Sequence, residues 1–298
     1  MAMDTIKIDN KQVKMVAHRG LSGLEKENTC SAFVAACNRA TYFGVETDVH
    51  RTADGQYIIF HDDNTARVGI DPMVIEETTF DTLRKLQLTD IDGKRGRIDL
   101  TMPTLMEYIE ICKKYGKHCV LELKNQFKAA DVYKIVGMIE KAGYLDHVIF
   151  ISFALKNLIY LRRRYPQQPA QFLIKEWDDK VLKALETYNL GIDIYYKSAT
   201  PENVQKVHAL GQEYNVWTVN EAVDGEALVE MKNRFFVGDE LETVTPKGSE
   251  KLVIEDIVIE RTGEHVGVVN VPMERVRIPC GGKLQAGDML RGPVRNRA

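Results

Sequence analysis

Residues 43–63 read "FGVETDVHRTADGQYIIFHDD", two β-rich runs joined by a turn. In the first run Glu46 and Asp48 alternate with valine and threonine, so the two-residue period of a strand places both carboxylates on one face. The second run ends at His61. Carboxylates on an interior strand cost several kcal/mol unless they are paired or bind a metal, so this pattern asks for a functional explanation.

The turn between the two runs contains Asp54 and Gly55, a dipeptide typical of two-residue hairpin loops. If these two residues form the loop, the register places Asp48 directly opposite His61. A connection this short also predicts that the second strand runs antiparallel to the first.

The rest of the chain from residue 13 alternates short β-rich runs with helical patterns. Alternation of this kind predicts βαβ units and a parallel sheet. So many largely apolar strands favour an α/β fold of the TIM type, a (β/α) barrel. The expected parallel strands number seven: "AHRG", "VETDV", "LELK", "IFISF", "FLIK", "IDIYY" and "VWTVN".

The pattern changes near residue 235, where valine and isoleucine dominate and no helical period is seen. This pattern predicts a small all-β barrel domain over residues 234–298, after a (β/α) barrel over residues 1–233. The last helix of the first domain is predicted at "AVDGEALVEM" (222–231).

The bulk composition excludes several classes of protein. A net charge of -3 over 298 residues gives no general affinity for nucleic acid. No apolar stretch approaches about 18 residues, so no membrane span is expected. Five cysteines without a CxxC spacing are typical of a reducing compartment. A cytoplasmic protein is therefore the expectation.

Polar side chains gather where the predicted strands end, the place where barrels of this type carry their catalytic groups. The first strand ends in His18 and Arg19, and "LELK" carries Glu122 and Lys124. Three carboxylates at the carboxyl ends of neighbouring strands, which form the mouth of the barrel, suit one hard cation, Ca²⁺ or Mg²⁺. They are Glu46, Asp48 and Glu122. The absence of cysteine from this set argues against structural zinc.

Two histidines and an arginine beside a divalent cation suit phosphoryl chemistry. Arg19 and the cation would hold phosphate charge, while His18 and His61 could serve as acid and base. Two further residues have alternative interpretations. Glu27 either supports the start of the first helix or belongs to the site, and Trp217 either fills the barrel or lines a pocket.

The chain resembles the glycerophosphodiester phosphodiesterase family, which has a phospholipase-C-like TIM barrel. The resemblance covers roughly residues 13–231. The matching motifs, in order, are "AHRG" (18–20 with Ala17), "ENT" (27–29), "VETDV" (45–49), "IIFHDD" (58–63), "PTLMEY" (103–108), "LELK" (121–124), "ISF" (151–153) and "VWTVN" (216–220).

The resemblance implies hydrolysis of a glycerophosphodiester to glycerol 3-phosphate and an alcohol, a reaction of lipid and glycerol metabolism. It implies that a substrate hydroxyl attacks phosphorus to give a cyclic phosphate, which water opens. His18 and His61 would be the acid/base pair, and Arg19 and Lys124 would contact phosphate. The three carboxylates would bind the cation, and Trp217 and Glu27 would belong to the substrate pocket.

The family's usual eighth strand, of the type "DGIITDRP", is absent. Either "RFFV" (234–237) acts in its place or a gap remains between the strands of "VWTVN" and "AHRG". Residues 235–298 resemble the small C-terminal β-barrel domain of the collagenase-like peptidase family, which is not that family's catalytic part. The missing strand motivates an alternative hypothesis, a catalytically impaired phosphate- or metal-binding or scaffold module. Another phosphodiesterase of this barrel class, such as a lysophospholipase D, is a third.

Overall fold

The computed structural model describes residues 13–68, 72–219, 226–230, 235–245, 248–269, 275–280, 284 and 289–291. The chain forms two compact units, Met1–Thr218 and Val219–Ala298. In the described segments no helix is both long enough and apolar enough to cross a membrane.

The first unit is built on a sheet of eight strands. They are β1 (Val16–Ala17), β2 (Gly44–Arg51), β3 (Tyr57–Ile59), β4 (His118–Leu123), β5 (Val148–Ser152), β6 (Ala170–Ile174), β7 (Gly191–Tyr195) and β8 (Tyr214–Trp217). Seven are parallel, in the order β1-β2-β4-β5-β6-β7-β8, and β3 pairs antiparallel with β2. The TIM-type (β/α) architecture is therefore confirmed.

Helices follow the strands in sequence. They are α1 (Cys30–Cys37), α2 (Phe80–Arg84), α3 (Leu105–Tyr115), α4 (Ala129–Lys141), α5 (Leu155–Arg164), α6 (Asp179–Tyr188) and α7 (Pro201–Ala209). The apolar faces of all but α2 pack on the outer faces of the strands in one large core, whereas Leu83 of α2 belongs to a separate cluster with Ile58 of β3. Thr29 caps α1, accepting a hydrogen bond from the backbone N–H of Ala32. Asn28, the residue before this cap, has a side-chain amide that could also have capped the helix and is left available for another role.

The barrel interior holds a small apolar cluster of Val120, Ile151 and Leu173 from β4, β5 and β6. Because side chains alternate along a strand, Glu122 lies on the same face of β4 as Val120 and therefore also faces the barrel interior. On β2 and β4, Asp48 and Glu122 are register partners at the carboxyl end. The sequence pattern "VETDV" thus forms the mouth of the barrel, where β2 and β4 lie side by side.

The hairpin of β2 and β3 has a different register from the one that the Asp-Gly dipeptide predicts. Val49 pairs with Ile59, and the backbone N–H of Phe60 donates to the carbonyl of Asp48. The predicted pairing of Asp48 with His61 is therefore wrong by one residue. The cause is a three-residue loop: Thr52 N–H donates to the carbonyl of Gln56, at 2.9 Å.

Gly55 closes this loop in the left-handed conformation, with φ of +76°, and its N–H donates to the carbonyl of Thr52. A type I turn followed by a left-handed residue is the usual form of a three-residue hairpin loop. The Thr52 hydroxyl adds a 2.6 Å hydrogen bond to the Asp54 carboxylate, which fixes the turn. Both loop lengths are compatible with the same dipeptide, so these contacts decide the register.

In the residues that the structure describes, the regular secondary structure of the second unit consists of β-strands, as predicted. Its strands are β9 (Glu226–Glu230), β10 (Phe235–Phe236), β11 (Glu240–Thr245), β12 (Gly248–Val253), β13 (Val258–Ile259), β14 (Val268–Val269), β15 (Arg275–Pro279) and β16 (Met289–Arg291). They pair antiparallel in three small sheets, β10-β14, β12-β11-β16 and β13-β15-β9. A separate apolar cluster includes Leu241, Ile254 and Ile278.

The helix predicted for this region is wrong. The predicted helix at 222–231 includes β9, because pairing with β15 over five residues overrides the local helical pattern. The compact unit consequently begins at Val219, ahead of the boundary predicted at 233/234. The segment "RFFV" does not act as an eighth barrel strand, since Phe235 and Phe236 pair with β14.

No pairing between β8 and β1 is present among the described residues. The two strands are linked at their amino ends by an ion pair, in which Lys14 Nζ lies 2.8 Å from Glu213 Oε1. Both side chains are more than half exposed, so this pair contributes at most about 1 kcal/mol.

Asp193 on β7 gives the fold a pH dependence that can be measured. It is 3% exposed and its Oδ1 has no hydrogen-bond partner within the described part of the chain. Burial raises the pKa of this carboxyl to about 7. Between about pH 4 and pH 7 the folded state keeps a proton that the unfolded state has lost, so the free energy of unfolding falls as pH rises.

We therefore expect Asp193→Asn to raise the melting temperature at pH 8 and to change it little at pH 4, where the wild-type carboxyl is neutral. Thermal unfolding of both proteins at the two pH values measures the difference. An equal change in melting temperature at both pH values would contradict this account of Asp193.

Candidate active site

Three buried carboxylates form the centre of the site. Glu46 and Asp48 lie on β2 and Glu122 on β4, and each is less than one-tenth exposed. One oxygen from each lies within 4.8 Å of the other two. The structure thus brings together the residues that the sequence proposes as cation ligands.

The three carboxylates repel one another when ionised, and this repulsion shifts their pKa values. Burial and the neighbouring charge of Asp48 raise the pKa of Glu122 to about 8. Burial, together with the charges of Asp48 and Glu122, also raises the pKa of Glu46. Burial opposes ionisation of Asp48 as well, but the charges of Lys124, His61 and Arg19 lower its pKa.

A hard cation fits this cluster. Its donors are carboxylate oxygens, the ligands that Ca²⁺ and Mg²⁺ prefer, and Oδ1 of Asp48 is buried without a hydrogen-bond partner in the segments described. The ammonium group of Lys124 also lies beside the carboxylates. Lys124 Nζ is 3.1 Å from Glu122 Oε1 and 3.6 Å from Asp48 Oδ1.

Asn28 is a site residue that the sequence reasoning missed. Its Nδ2 donates to Asp48 Oδ2 at 2.8 Å, and its Oδ1 accepts from the hydroxyl of Thr47 at 2.7 Å. Asn28 adopts the left-handed conformation, with φ of +53°, just before the Thr29 cap. The available signal was the pair of adjacent capping residues, of which α1 uses only one.

The loop after β1 presents His18 and Arg19. The Arg19 backbone N–H donates to Glu46 Oε2 at 2.9 Å, and His18 Nε2 lies 3.9 Å from the same oxygen. Arg19 has a φ of +56° and is followed by Gly20, where an added Cβ would lie 2.8 Å from Ala32. This tight turn directs the Arg19 N–H toward the carboxylates.

The Arg19 guanidinium is mostly buried. Its Nη1 donates to Glu27 Oε1 at 3.0 Å, and its Nε lies 3.9 Å from Asp48 Oδ2. The Nε atom has no hydrogen-bond partner among the described residues. Glu27 therefore contacts a candidate phosphate-binding residue, whereas the cap of α1 is made by Thr29.

The two histidines both have pKa values below the ordinary range. Burial and the neighbouring Arg19 charge lower the pKa of His18 to about 4. Burial also lowers the pKa of His61, against the charge of Asp48 and a hydrogen bond to Asp62. The charge of Asp48 thus acts on His61 although the two residues are not paired across the hairpin.

Aromatic side chains occupy other strand ends at the same edge of the sheet. Trp217 at the end of β8 lies 5.7 Å from the ring of Phe153 and 5.3 Å from that of Tyr195, measured between centroids. Its indole N–H donates to the carbonyl of Ile174. Phe153 is about half exposed, so this group offers an apolar surface.

Comparison with known families gives two matches. Residues 18–243 match the family model described as the Glycerophosphoryl diester phosphodiesterase family. Residues 214–291 match that of the Peptidase family U32 C-terminal domain. The limit between the compact units, at Thr218 and Val219, falls within the overlap of the two matches.

Among curated proteins, the glycerophosphodiester phosphodiesterase of Bacillus subtilis is 26% identical over 242 residues, which are 74% of this chain and 80% of that protein. Glycerophosphodiester phosphodiesterase 1 of Bos taurus is 28% identical over 254 residues, which cover 74% of this chain and 75% of the relative.

Solved structures share the fold. A phosphodiesterase from Oleispira antarctica in complex with the product sn-glycerol-3-phosphate superposes with a TM-score of 0.60 and 25% identity, covering 70% of this chain and 85% of that one. A structure from Silicibacter pomeroyi shows the same fold, with a TM-score of 0.62 at 24% identity, covering 70% of this chain and 84% of that one.

We expect Asn28→Gly to weaken binding of Ca²⁺ or Mg²⁺ by about 10- to 100-fold, because the Asp48 carboxylate loses the group that orients it. Isothermal titration with each cation measures the affinity. Asn125→Gly is a matched control, since Asn125 also has a φ of +53° but contacts Asp63 and Glu76. Equal losses in the two variants would show that Asn28 acts only through the loop backbone.

Proposed function

The chain belongs to the glycerophosphoryl diester phosphodiesterase family, and we propose that it hydrolyses glycerophosphodiesters to glycerol 3-phosphate and an alcohol with the help of one divalent cation. The observation that carries this proposal is the buried carboxylate triad flanked by His18 and Arg19. No structural need of the barrel accounts for such a cluster, which raises the pKa of two of its own members.

Glu46, Asp48 and Glu122 would hold the cation, Ca²⁺ or Mg²⁺. When bound, the cation supplies positive charge that offsets the charge developing on the phosphoryl oxygens. The same charge would favour the ionised form of the carboxylates, so binding would release a proton from Glu122 near neutral pH.

Arg19 and Lys124 would bind the phosphate. The unpartnered Nε of Arg19 supports this role, because a phosphate oxygen would satisfy a donor that is otherwise buried without an acceptor. Lys124 contributes a compact charge beside the carboxylates.

His18 and His61 would transfer the protons. One neutral imidazole accepts the proton of the substrate hydroxyl that attacks phosphorus, and the other histidine, as an imidazolium, donates a proton to the oxygen of the departing alcohol. Water then opens the cyclic phosphate with the two roles exchanged. The lowered pKa values support proton acceptance near neutral pH. They oppose the imidazolium form, which the negative charge of a bound phosphodiester would favour.

Trp217 would line the alcohol side of the pocket with Phe153 and Tyr195, whose rings it contacts. The glycerol 3-phosphate found in the Oleispira antarctica relative supports a small-molecule substrate. The proposal extends to a reducing, cytoplasmic location, which the burial of Cys37, Cys112 and Cys119 as free thiols supports.

We expect the wild-type protein to release glycerol 3-phosphate from glycerophosphocholine or glycerophosphoethanolamine when Ca²⁺ or Mg²⁺ is present. His18→Ala and His61→Ala should each lower kcat by at least about 10²-fold, because each removes a proton-transfer group. His208→Ala, at an exposed position on α7, should leave kcat unchanged.

A folded wild-type protein that releases no glycerol 3-phosphate with any of these cations would refute the enzymatic proposal. If that protein still binds the cation or glycerol 3-phosphate, the result would favour the binding-module hypothesis. The lack of pairing between β8 and β1 among the described residues motivates that hypothesis.

A further inference from the structure

We propose that Arg67 is a positioning residue that orients His61 and Arg19 at the same time. This inference rests on the proposed function of the site. Arg67 lies in the segment of residues 60–104 between β3 and α3. The sequence pattern connected His61 of this segment with catalysis but not Arg67.

Arg67 joins two carboxylates through all three of its guanidinium nitrogens. Nη1 and Nη2 donate to the two oxygens of Glu27, at 3.1 and 2.6 Å, and Nε donates to Asp62 Oδ2 at 2.7 Å. A planar fork of this kind fixes the orientation of each partner as well as its distance.

The first partner, Asp62, holds His61. Its Oδ1 lies 2.6 Å from His61 Nδ1, while its Oδ2 is the atom bound by Arg67. An ionised carboxylate can only accept a hydrogen bond, so the proton of a neutral His61 lies on Nδ1. Nε2 is then the ring atom that exchanges a proton with substrate.

The second partner, Glu27, holds Arg19. Glu27 Oε1 accepts from Arg67 Nη2 and also from Arg19 Nη1 at 3.0 Å. This contact turns the Arg19 guanidinium so that its Nε remains inside the site, 3.9 Å from Asp48 Oδ2. Arg67 thus connects the proton-transfer group and the phosphate-binding group through one residue on each side.

A second arginine of the same segment shows what a purely structural contact looks like here. Arg97 Nη1 donates to Glu25 Oε2 at 2.7 Å, and its Nη2 donates to Asp99 Oδ2 at 2.7 Å. It therefore also ties this segment to the loop after β1. In the described parts of the chain, no hydrogen bond or ion pair joins Glu25 or Asp99 to His61, Arg19 or a candidate cation ligand.

The two arginines are matched in exposure, with 46% of the Arg67 side chain and 37% of the Arg97 side chain accessible. Arg67→Met and Arg97→Met should lower the melting temperature by similar small amounts, since each removes partly exposed ion pairs. Any difference in kcat between these variants then reports on positioning.

Steady-state hydrolysis of glycerophosphocholine is the first measurement. We expect Arg67→Met to lower kcat by about 10- to 100-fold, and Arg97→Met to leave kcat within about twofold of wild type. Arg67→Lys should not restore kcat, because a single ammonium cannot reproduce the fork. Equal kcat values for Arg67→Met and Arg97→Met, or full activity of Arg67→Lys, would overturn the proposal.

The second measurement does not depend on turnover. Nitrogen NMR of ¹⁵N-histidine-labelled protein at pH 8, with His61 assigned from a His61→Gln variant, identifies which ring nitrogen carries the proton. We expect the Nδ1–H form in wild type and in Arg97→Met, and a loss of that form in Arg67→Met. Retention of the Nδ1–H form in Arg67→Met, or its absence from wild type, would refute the role of Arg67. If the wild-type protein shows no turnover, the phosphodiesterase proposal fails while this result still decides the inference.

Discussion

The repulsion among three buried carboxylates is the constraint on which the rest of the site depends. Glu46, Asp48 and Glu122 lie within 4.8 Å of one another at positions from which water is largely excluded. Burying several like charges is unfavourable unless other groups compensate. Lys124 and Arg19 supply part of this compensation, and the raised pKa values of the two glutamates show that it is incomplete.

A different local feature of the fold positions each group around the carboxylates. Register pairing between β2 and β4 sets Asp48 beside Glu122, and the left-handed turn after β1 directs the Arg19 N–H toward Glu46. A second left-handed residue, Asn28, lets its amide reach Asp48. Each of these arrangements uses backbone geometry near a strand end, where barrels of this type carry their functional groups.

Much of this arrangement could be predicted from the sequence because strand periodicity is local. The alternation in "VETDV" and "LELK" assigned Glu46, Asp48 and Glu122 to one face, and the βα alternation assigned that face to a barrel mouth. The hairpin register could not be predicted in the same way. Two- and three-residue loops are both compatible with an Asp-Gly dipeptide, and the hydrogen bonds of Thr52 and Gly55 decide between them.

Contacts between residues far apart in the sequence explain the other differences between the prediction and the structure. Residues 222–231 have a helical pattern, but β9 pairs with β15, which lies far along the chain. Similarly, Arg67 reaches Glu27 across 40 positions in the sequence, and no local pattern indicates this contact. Contacts of this kind depend on the closed three-dimensional structure, so they become visible only when the fold is known.

The central claim is that the carboxylate triad binds a divalent cation and is not neutralised by Lys124 alone. The most direct test is a crystal structure of the protein with Mn²⁺, whose anomalous scattering locates the ion and whose preference for oxygen ligands resembles that of Mg²⁺. Our account predicts one anomalous peak in the barrel mouth, with an oxygen of each of Glu46, Asp48 and Glu122 as ligand. A mouth without a peak, in which Lys124 Nζ occupies the centre of the three carboxylates, would contradict it.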